Sequence, residues 1–99
     1  MKSMEKLHPN EIQLVGNWKQ IEGKVVADET CQRIQWLVDQ ILEKVGTDKT
    51  GWEHLYRDSE TGSLWELTYP HSDWHGGGPP ALRRVSSAEI ASKYHIRKQ

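Results

Sequence analysis

The feature that most constrains the fold is an apolar stripe near the middle of the chain. Between Asp28 and Gly46, apolar side chains recur at steps of three and four residues, a spacing that places them on one face of an α-helix. Asp28 is a suitable N-cap and Gly46 a typical residue just past a helix C-terminus. The pattern predicts an amphipathic helix over residues 28–45. The stripe comprises Cys31, Ile34, Leu37, Val38, Ile41, Leu42 and Val45.

Cys31 and Trp36 occupy contrasting positions on this predicted helix. Cys31 lies on the apolar stripe, so we interpret it as a small core residue and not as a nucleophile. Trp36 points away from the stripe, among charged and polar neighbours. It either packs under another element or anchors a binding partner, since Trp is enriched among the residues that dominate binding energy.

Two antiparallel hairpins flank the helix in the predicted order of elements. Residues 12–21 alternate as a strand, and Gly16 within it marks a bulge or the close approach of another element. A turn at Glu22-Gly23 then leads into a short partner strand over residues 24–27. The second hairpin joins residues 52–57 to residues 63–69 through a turn that contains Gly62.

The C-terminal part of the chain predicts one more strand and a short helix. Residues 82–85 form the strand, and Ser86 or Ser87 caps a helix on which Ile90 and Tyr94 lie one turn apart. The fold class is therefore α+β. We expect two hairpins that merge into one small antiparallel sheet, with the main helix on one face and the C-terminal helix beside it.

The size and composition of the chain predict a single domain spanning residues 1–99. No apolar run approaches the roughly 20 residues needed to span a membrane. The first residues are charged and lack the apolar segment of a secretory signal. The single cysteine cannot form an internal disulfide, so the cytoplasm is the expected compartment.

Charge is distributed unevenly along the sequence. Residues 22–73 carry eleven acidic and five basic side chains, whereas residues 74–99 carry five basic and one acidic. An acidic middle argues against nucleic-acid binding, which needs clustered Lys and Arg for phosphate contacts. It suits a basic protein partner, although a solvated acidic surface would give the same pattern.

The segment between Tyr69 and Ala81 contains three glycines and then two prolines, and it allows three interpretations. Its backbone amides could hold an anion, as in the oxyanion loop of lipases, but the nucleophile motif of those enzymes is absent. His71, Asp73 and His75 could bind a divalent metal if the segment is extended. A structural crossover is the simplest interpretation, and it still allows Asp73 or Trp74 to touch a partner.

Nothing in the sequence forms a recognisable catalytic set. Glu53 and Glu66 could face each other across the second hairpin, but paired carboxylates on strands are more often solvated than catalytic. We therefore predict no enzymatic activity, no cofactor and no bound metal. Two alternatives stay open, namely a general protein-interaction or adaptor domain and a small metal-dependent hydrolase.

Five short motifs follow one another along the chain. They are Gly16-x-Trp18, Ala27-Asp28-Glu29-Thr30-Cys31-x-Arg33-Ile34-x-Trp36-Leu37, Gly51-Trp52-x-x-Leu55-Tyr56-Arg57-Asp58, Trp65-Glu66-Leu67-Thr68-Tyr69-Pro70 and His75-Gly76-Gly77-Gly78-Pro79-Pro80. Their combination resembles the immunity protein 27 family of bacterial polymorphic-toxin and contact-dependent inhibition systems. The resemblance extends over residues 7–94, and the last two motifs are its most specific parts.

The resemblance implies an antitoxin that acts in the cytoplasm of the producing cell. Such a protein binds the C-terminal domain of a cognate toxin, usually a nuclease, and blocks it without catalysis. The acidic middle is compatible with this function because it would attract a basic nuclease. On the charge argument, with aromatic residues as anchors, the predicted toxin-binding residues are Glu53, Asp58, Glu60, Glu66, Asp73, Trp74 and Trp36.

Overall fold

The computed structural model describes residues 5–70, 78–91, 93 and 94. Seven short strands and two helices follow one another in these residues, and a single π-helical turn, Leu37–Ile41, extends the first helix. The strands are β1 (Gln13–Val15), β2 (Trp18–Ile21), β3 (Lys24–Ala27), β4 (Glu43–Thr47), β5 (His54–Arg57), β6 (Leu64–Thr68) and β7 (Ala81–Val85). The helices are α1 (Glu29–Trp36) and α2 (Ser87–Ile90).

Five of the strands form one antiparallel sheet in the order β1-β7-β6-β5-β4. The α+β class is confirmed, as are the β5–β6 hairpin and the last strand. The β2–β3 hairpin also forms, with positive φ angles at Glu22 and Gly23 in its turn. It stays a separate two-stranded sheet, however, so the expected merger of the two hairpins is wrong.

The main helix is shorter than its apolar spacing predicts, and the expected boundary at residue 45 is wrong. Leu42 is extended, and the chain continues as β4, which pairs with β5. The register shifts between Lys44 and Gly46, so Gly46 lies within a strand and not after a helix. Pairing with β5 overrides the local helical pattern, because strand formation depends strongly on tertiary context.

Gly16 divides the expected first strand into β1 and β2. Its N–H donates to the carbonyl of Pro80 at 2.9 Å. A Cβ atom at this position would lie 2.5 Å from Cys31 Sγ and 2.7 Å from the Pro80 oxygen. The predicted close approach is therefore confirmed. Before Gly16, β1 pairs with β7 in the main sheet, and after it β2 pairs with β3 in the separate two-stranded sheet.

Two apolar clusters lie on opposite faces of the sheet, since neighbouring strand residues such as Leu55 and Tyr56 point to opposite sides. Cys31 is 4% exposed, as expected for a core residue, and burial raises the pKa of its thiol. The α1-side cluster contains Leu14, Ile34, Leu37, Leu42, Tyr56, Trp65, Leu67 and Leu82. The other cluster contains Leu55, Val85, Ile90 and Tyr94.

Candidate functional site

The β5–β6 hairpin separates the predicted carboxylates into two groups. Glu53 precedes β5, and Glu66 lies in β6 opposite Leu55 and Arg83. Asp58 and Glu60 lie in the turn at the other end of the hairpin. The predicted site is therefore two acidic groups along one hairpin and not a single patch.

The first group belongs to what we call the C-terminal clasp, which comprises residues 86–91, 93 and 94 and their contacts with Glu53 and Glu66. Lys93 Nζ pairs with Glu53 and also lies 2.7 Å from Glu66 Oε2. Tyr94 Oη donates to the same Glu66 oxygen at 2.8 Å. The Glu66 side chain is only 5% exposed, so these partners replace water around its charge.

The local sequence around α2 explains why the clasp packs against the sheet. Ser86 caps α2 by accepting from the Glu89 N–H, and the Glu89 carboxylate accepts from the Ser86 N–H. The capped turn directs Ile90 and Tyr94 into the second apolar cluster. Burial and the Glu66 carboxylate both raise the pKa of Tyr94. The phenol is therefore a permanent hydrogen-bond donor to Glu66 at physiological pH.

The second group lies beside what we call the N-terminal strap, residues 5–11. Arg33 of α1 holds the strap by donating to the carbonyls of Glu5 and Lys6, each at 2.9 Å. It also donates to both carboxylate oxygens of Glu11, at 2.8 and 2.7 Å. These hydrogen bonds lower the pKa of Glu11 to about 2. The Arg33 guanidinium therefore ties both ends of the strap to α1, and Leu7 of the strap packs against the α1-side apolar cluster.

Strap and turn meet at an ion pair. Lys6 Nζ lies 2.6 Å from Glu60 Oε1, and both side chains are more than half exposed. The Glu60 carboxylate raises the pKa of Lys6. Asp58 is 6% exposed, and its Oδ1 accepts from the Glu60 N–H at 2.9 Å. Asp58 shapes the turn, and Glu60 presents its charge to solvent.

Three carboxylates of the acidic middle pair with basic side chains from the two ends of the chain. Lys6, from the N-terminal side, pairs with Glu60, whereas Arg83 and Lys93, from the C-terminal side, pair with Glu66. Lys93 also pairs with Glu53. Among the predicted carboxylates that the structure describes, Glu60 is the most exposed, and Glu53 is about one-third exposed.

The predicted aromatic anchors have different positions. Trp36 is half-buried and packs against the α1-side apolar cluster, which is the first of its two interpretations. Asp73 and Trp74 lie outside the described residues, as do the histidines of the possible metal site. Within the part of the chain that the structure describes, no group of three metal-binding side chains is found.

Sequence reasoning missed Trp52, which is 62% exposed. It lies in a tight loop organised by Asp48, whose Oδ1 accepts from Thr50 Oγ1, the Gly51 N–H and the Glu53 N–H. Gly51 has a φ of +81°, which favours glycine. An Asp followed three residues later by Gly is a turn signal that could have placed Trp52 on a loop. Trp52 is an exposed aromatic on an ordered support, next to Glu53.

Comparison with known families decides what kind of protein carries these features. A family model described as Immunity protein 27 matches residues 20–86. The chain belongs to the immunity protein 27 family. No curated protein and no solved structure matches it. The matched range includes the β5–β6 turn and the Trp52 loop, while the strap and most of the clasp lie beyond its ends.

Membership in this family makes the chain an immunity protein. The resemblance described from the sequence motifs is therefore confirmed. None of the helices in residues 5–70 and 78–91 has the length and apolar character that crossing a membrane requires.

Proposed function

We propose that this immunity protein binds the C-terminal domain of a cognate bacterial toxin and neutralises it by forming a stoichiometric complex. The toxin domain is a basic nuclease delivered by a polymorphic-toxin or contact-dependent inhibition system. The immunity protein acts in the cytoplasm of the cell that makes it. It binds no nucleic acid and needs no cofactor. Its family membership is the observation that carries this proposal.

The charge distribution supports a basic partner. Residues 22–73 carry a net charge of −6, and Glu60 presents its carboxylate at the surface. Complementary potentials speed the encounter of two proteins and discriminate against wrong partners. Such a partner would approach the hairpin where its carboxylates are accessible.

The contact residues that we propose follow from exposure. Glu60 and Glu53 make direct contacts, and Asp58 and Glu66 hold them in place from buried positions. Trp52 joins them as an aromatic anchor because it is exposed beside Glu53. Asp73, Trp74 and Trp36 complete the set on the sequence argument. A central aromatic among charged residues is typical of a high-affinity interface.

The test is to mix the purified immunity protein with the toxin domain encoded beside its gene and to titrate the nuclease activity. We expect activity to fall linearly and to vanish at one immunity protein per toxin, with no recovery over time. A non-cognate immunity protein of similar net charge is the matched control and should leave the nuclease active. Full activity at excess immunity protein would overturn the proposal.

Ionic strength tests the charge argument separately. Exposed charges are screened beyond about 10 Å at 0.1 M salt. The association rate should therefore fall steeply between 50 and 500 mM NaCl, whereas the dissociation rate should change little. An association rate that is independent of salt would contradict a basic partner surface while leaving stoichiometric inhibition intact.

A further inference from the structure

A small cleft lies between the N-terminal strap and the β5–β6 turn. Its volume is about 130 Å³, the size of one large side chain. Its apolar lining comes from Leu7 and Pro9 of the strap and from Trp65 of β6. The cleft is therefore suited to the aliphatic or planar part of a side chain.

The polar groups of the cleft are mostly engaged within the chain. Trp65 Nε1 donates to Ser63 Oγ at 3.0 Å, and Ser63 Oγ lies 2.8 Å from Thr61 Oγ1. Arg84 donates through one guanidinium nitrogen to the Pro9 carbonyl at 3.4 Å. His8 and Asp58 also line the cleft, and Glu60 lies in the same turn as Asp58. A carboxylate thus lies within the cleft and a second one lies on the same turn.

The contact between Lys6 and Glu60 shows that a primary ammonium group can bind at this turn. Its ammonium group pairs with Glu60 at 2.6 Å, and it belongs to the strap that forms one wall of the cleft. The pair is exposed, and exposed ion pairs contribute little net stability and exchange readily. The Lys6–Glu60 pair is therefore an internal contact that an external cation can replace.

We propose that the cleft receives one basic side chain of the toxin domain, which displaces Lys6 from Glu60. The stem of this side chain packs against Pro9 and Trp65, and its charged group reaches Glu60 and the Asp58 side of the cleft. This inference rests on the proposed function and specifies one of its contacts.

The test compares two lysines that form similar exposed pairs. Lys6→Gln removes the internal competitor for Glu60. Lys19→Gln is the matched control, since Lys19 Nζ pairs with Glu29 at 2.5 Å and Lys19 does not line the cleft. Both variants change the net charge equally. Because an exposed pair contributes at most about 1 kcal/mol, we expect Lys6→Gln to lower the Kd for the toxin domain about 2- to 5-fold relative to Lys19→Gln.

A double-mutant cycle tests whether Glu60 is the acceptor. Glu60→Gln should raise the Kd about 5- to 10-fold, and in that background Lys6→Gln should no longer tighten binding. Glu29→Gln is the control for the loss of one exposed carboxylate and should raise the Kd less than twofold. Circular dichroism should show that all four single variants fold like the unmodified protein.

The outcomes separate this inference from the proposed function. If the unmodified protein inhibits the toxin while Lys6→Gln and Lys19→Gln bind it equally, the cleft proposal is wrong and the proposed function stands. The same conclusion follows if Lys6→Gln tightens binding equally with and without Glu60. If the unmodified protein neither binds nor inhibits the toxin domain, both proposals fail.

Discussion

The N-terminal strap and the C-terminal clasp both bring basic side chains back onto the acidic middle of the chain, but at different depths. In the clasp, Glu66 is 5% exposed and is contacted by Lys93 and Tyr94. In the strap, Lys6 and Glu60 meet where both are more than half exposed. A buried charge depends on its partners to replace lost hydration, whereas an exposed charge keeps its water. Losing one partner in the clasp therefore leaves a buried group without compensation, whereas the carboxylate beside the strap stays accessible to a binding partner.

The largest expected effect is the loss of the buried carboxylate. Glu66→Ala leaves the Tyr94 hydroxyl without its acceptor and removes one of the two carboxylates that pair with Lys93. We expect the free energy of unfolding to fall by about 3 kcal/mol, since breaking a buried polar network is costly. Urea denaturation followed by far-UV circular dichroism measures this change.

Glu60→Ala is the matched control for that variant, because it removes the same group from the exposed end of the hairpin. Its Tm should stay within about 2 °C of the unmodified protein, as is usual for surface substitutions. If Glu66→Ala and Glu60→Ala lowered the stability of the protein by similar amounts, burial of the carboxylate would not distinguish the clasp from the strap.

A smaller effect is expected when only the hydroxyl of the clasp is removed. Tyr94→Phe keeps the ring in the second apolar cluster but deletes the hydrogen bond to Glu66. A hydrogen bond to a charged group contributes about 1.5 kcal/mol, and Lys93 still contacts the carboxylate in this variant. The free energy of unfolding should therefore fall by about half as much as in Glu66→Ala. An unchanged unfolding midpoint would mean that Lys93 alone neutralises Glu66.

The sequence predicted individual strands, helices and caps better than it predicted how they pair and pack. A serine cap before α2, the β5–β6 hairpin and the core position of Cys31 follow from local patterns, and all three are present. Of the two serines that the sequence offered, Ser86 is the cap. Local patterns failed at Leu42, where strand pairing with β5 ends the helical segment early. The spacing of apolar residues within one segment carries no information about whether a strand elsewhere in the chain will pair with that segment.

The candidate site was less predictable for a related reason. Charge along the sequence identified the acidic middle, but not that Lys93 and Arg83 would return to cover Glu66. Burial of a carboxylate depends on residues that are far away in the chain. Trp36 and Trp52 show the same limit, since composition cannot decide which of two tryptophans packs on the core and which is exposed.

The strap should respond to acid through Glu11. Arg33 holds the pKa of Glu11 at about 2 in the folded protein, below the ordinary value of 4.5. A lowered folded-state pKa adds stability that is complete above pH 4.5 and disappears as the pH falls toward 2. Relative to Glu11→Gln, the unmodified protein should therefore be more stable by about 1 kcal/mol at pH 6, after allowance for partial solvent screening.

Unfolding midpoints measured from pH 6 to pH 2.5 test this expectation, with Glu60→Gln as the control. The difference between the unmodified protein and Glu11→Gln should shrink as the pH falls through this range. The control difference should be small throughout, because Glu60 is exposed. A constant difference between the unmodified protein and Glu11→Gln would show that the Arg33 contacts do not depend on the Glu11 charge.

The smallest expected effect on stability lies at the pair that joins the strap to the turn. Lys6→Gln removes a contact between two exposed groups, and the strap keeps its four hydrogen bonds to Arg33. The Tm should shift by less than about 2 °C, and 0.5 M NaCl should abolish the shift because exposed pairs are screened. A larger shift that persists in salt would mean that Lys6 fixes the strap structurally. The strap would then resemble the clasp, and an incoming cation could not take the place of Lys6 at low cost.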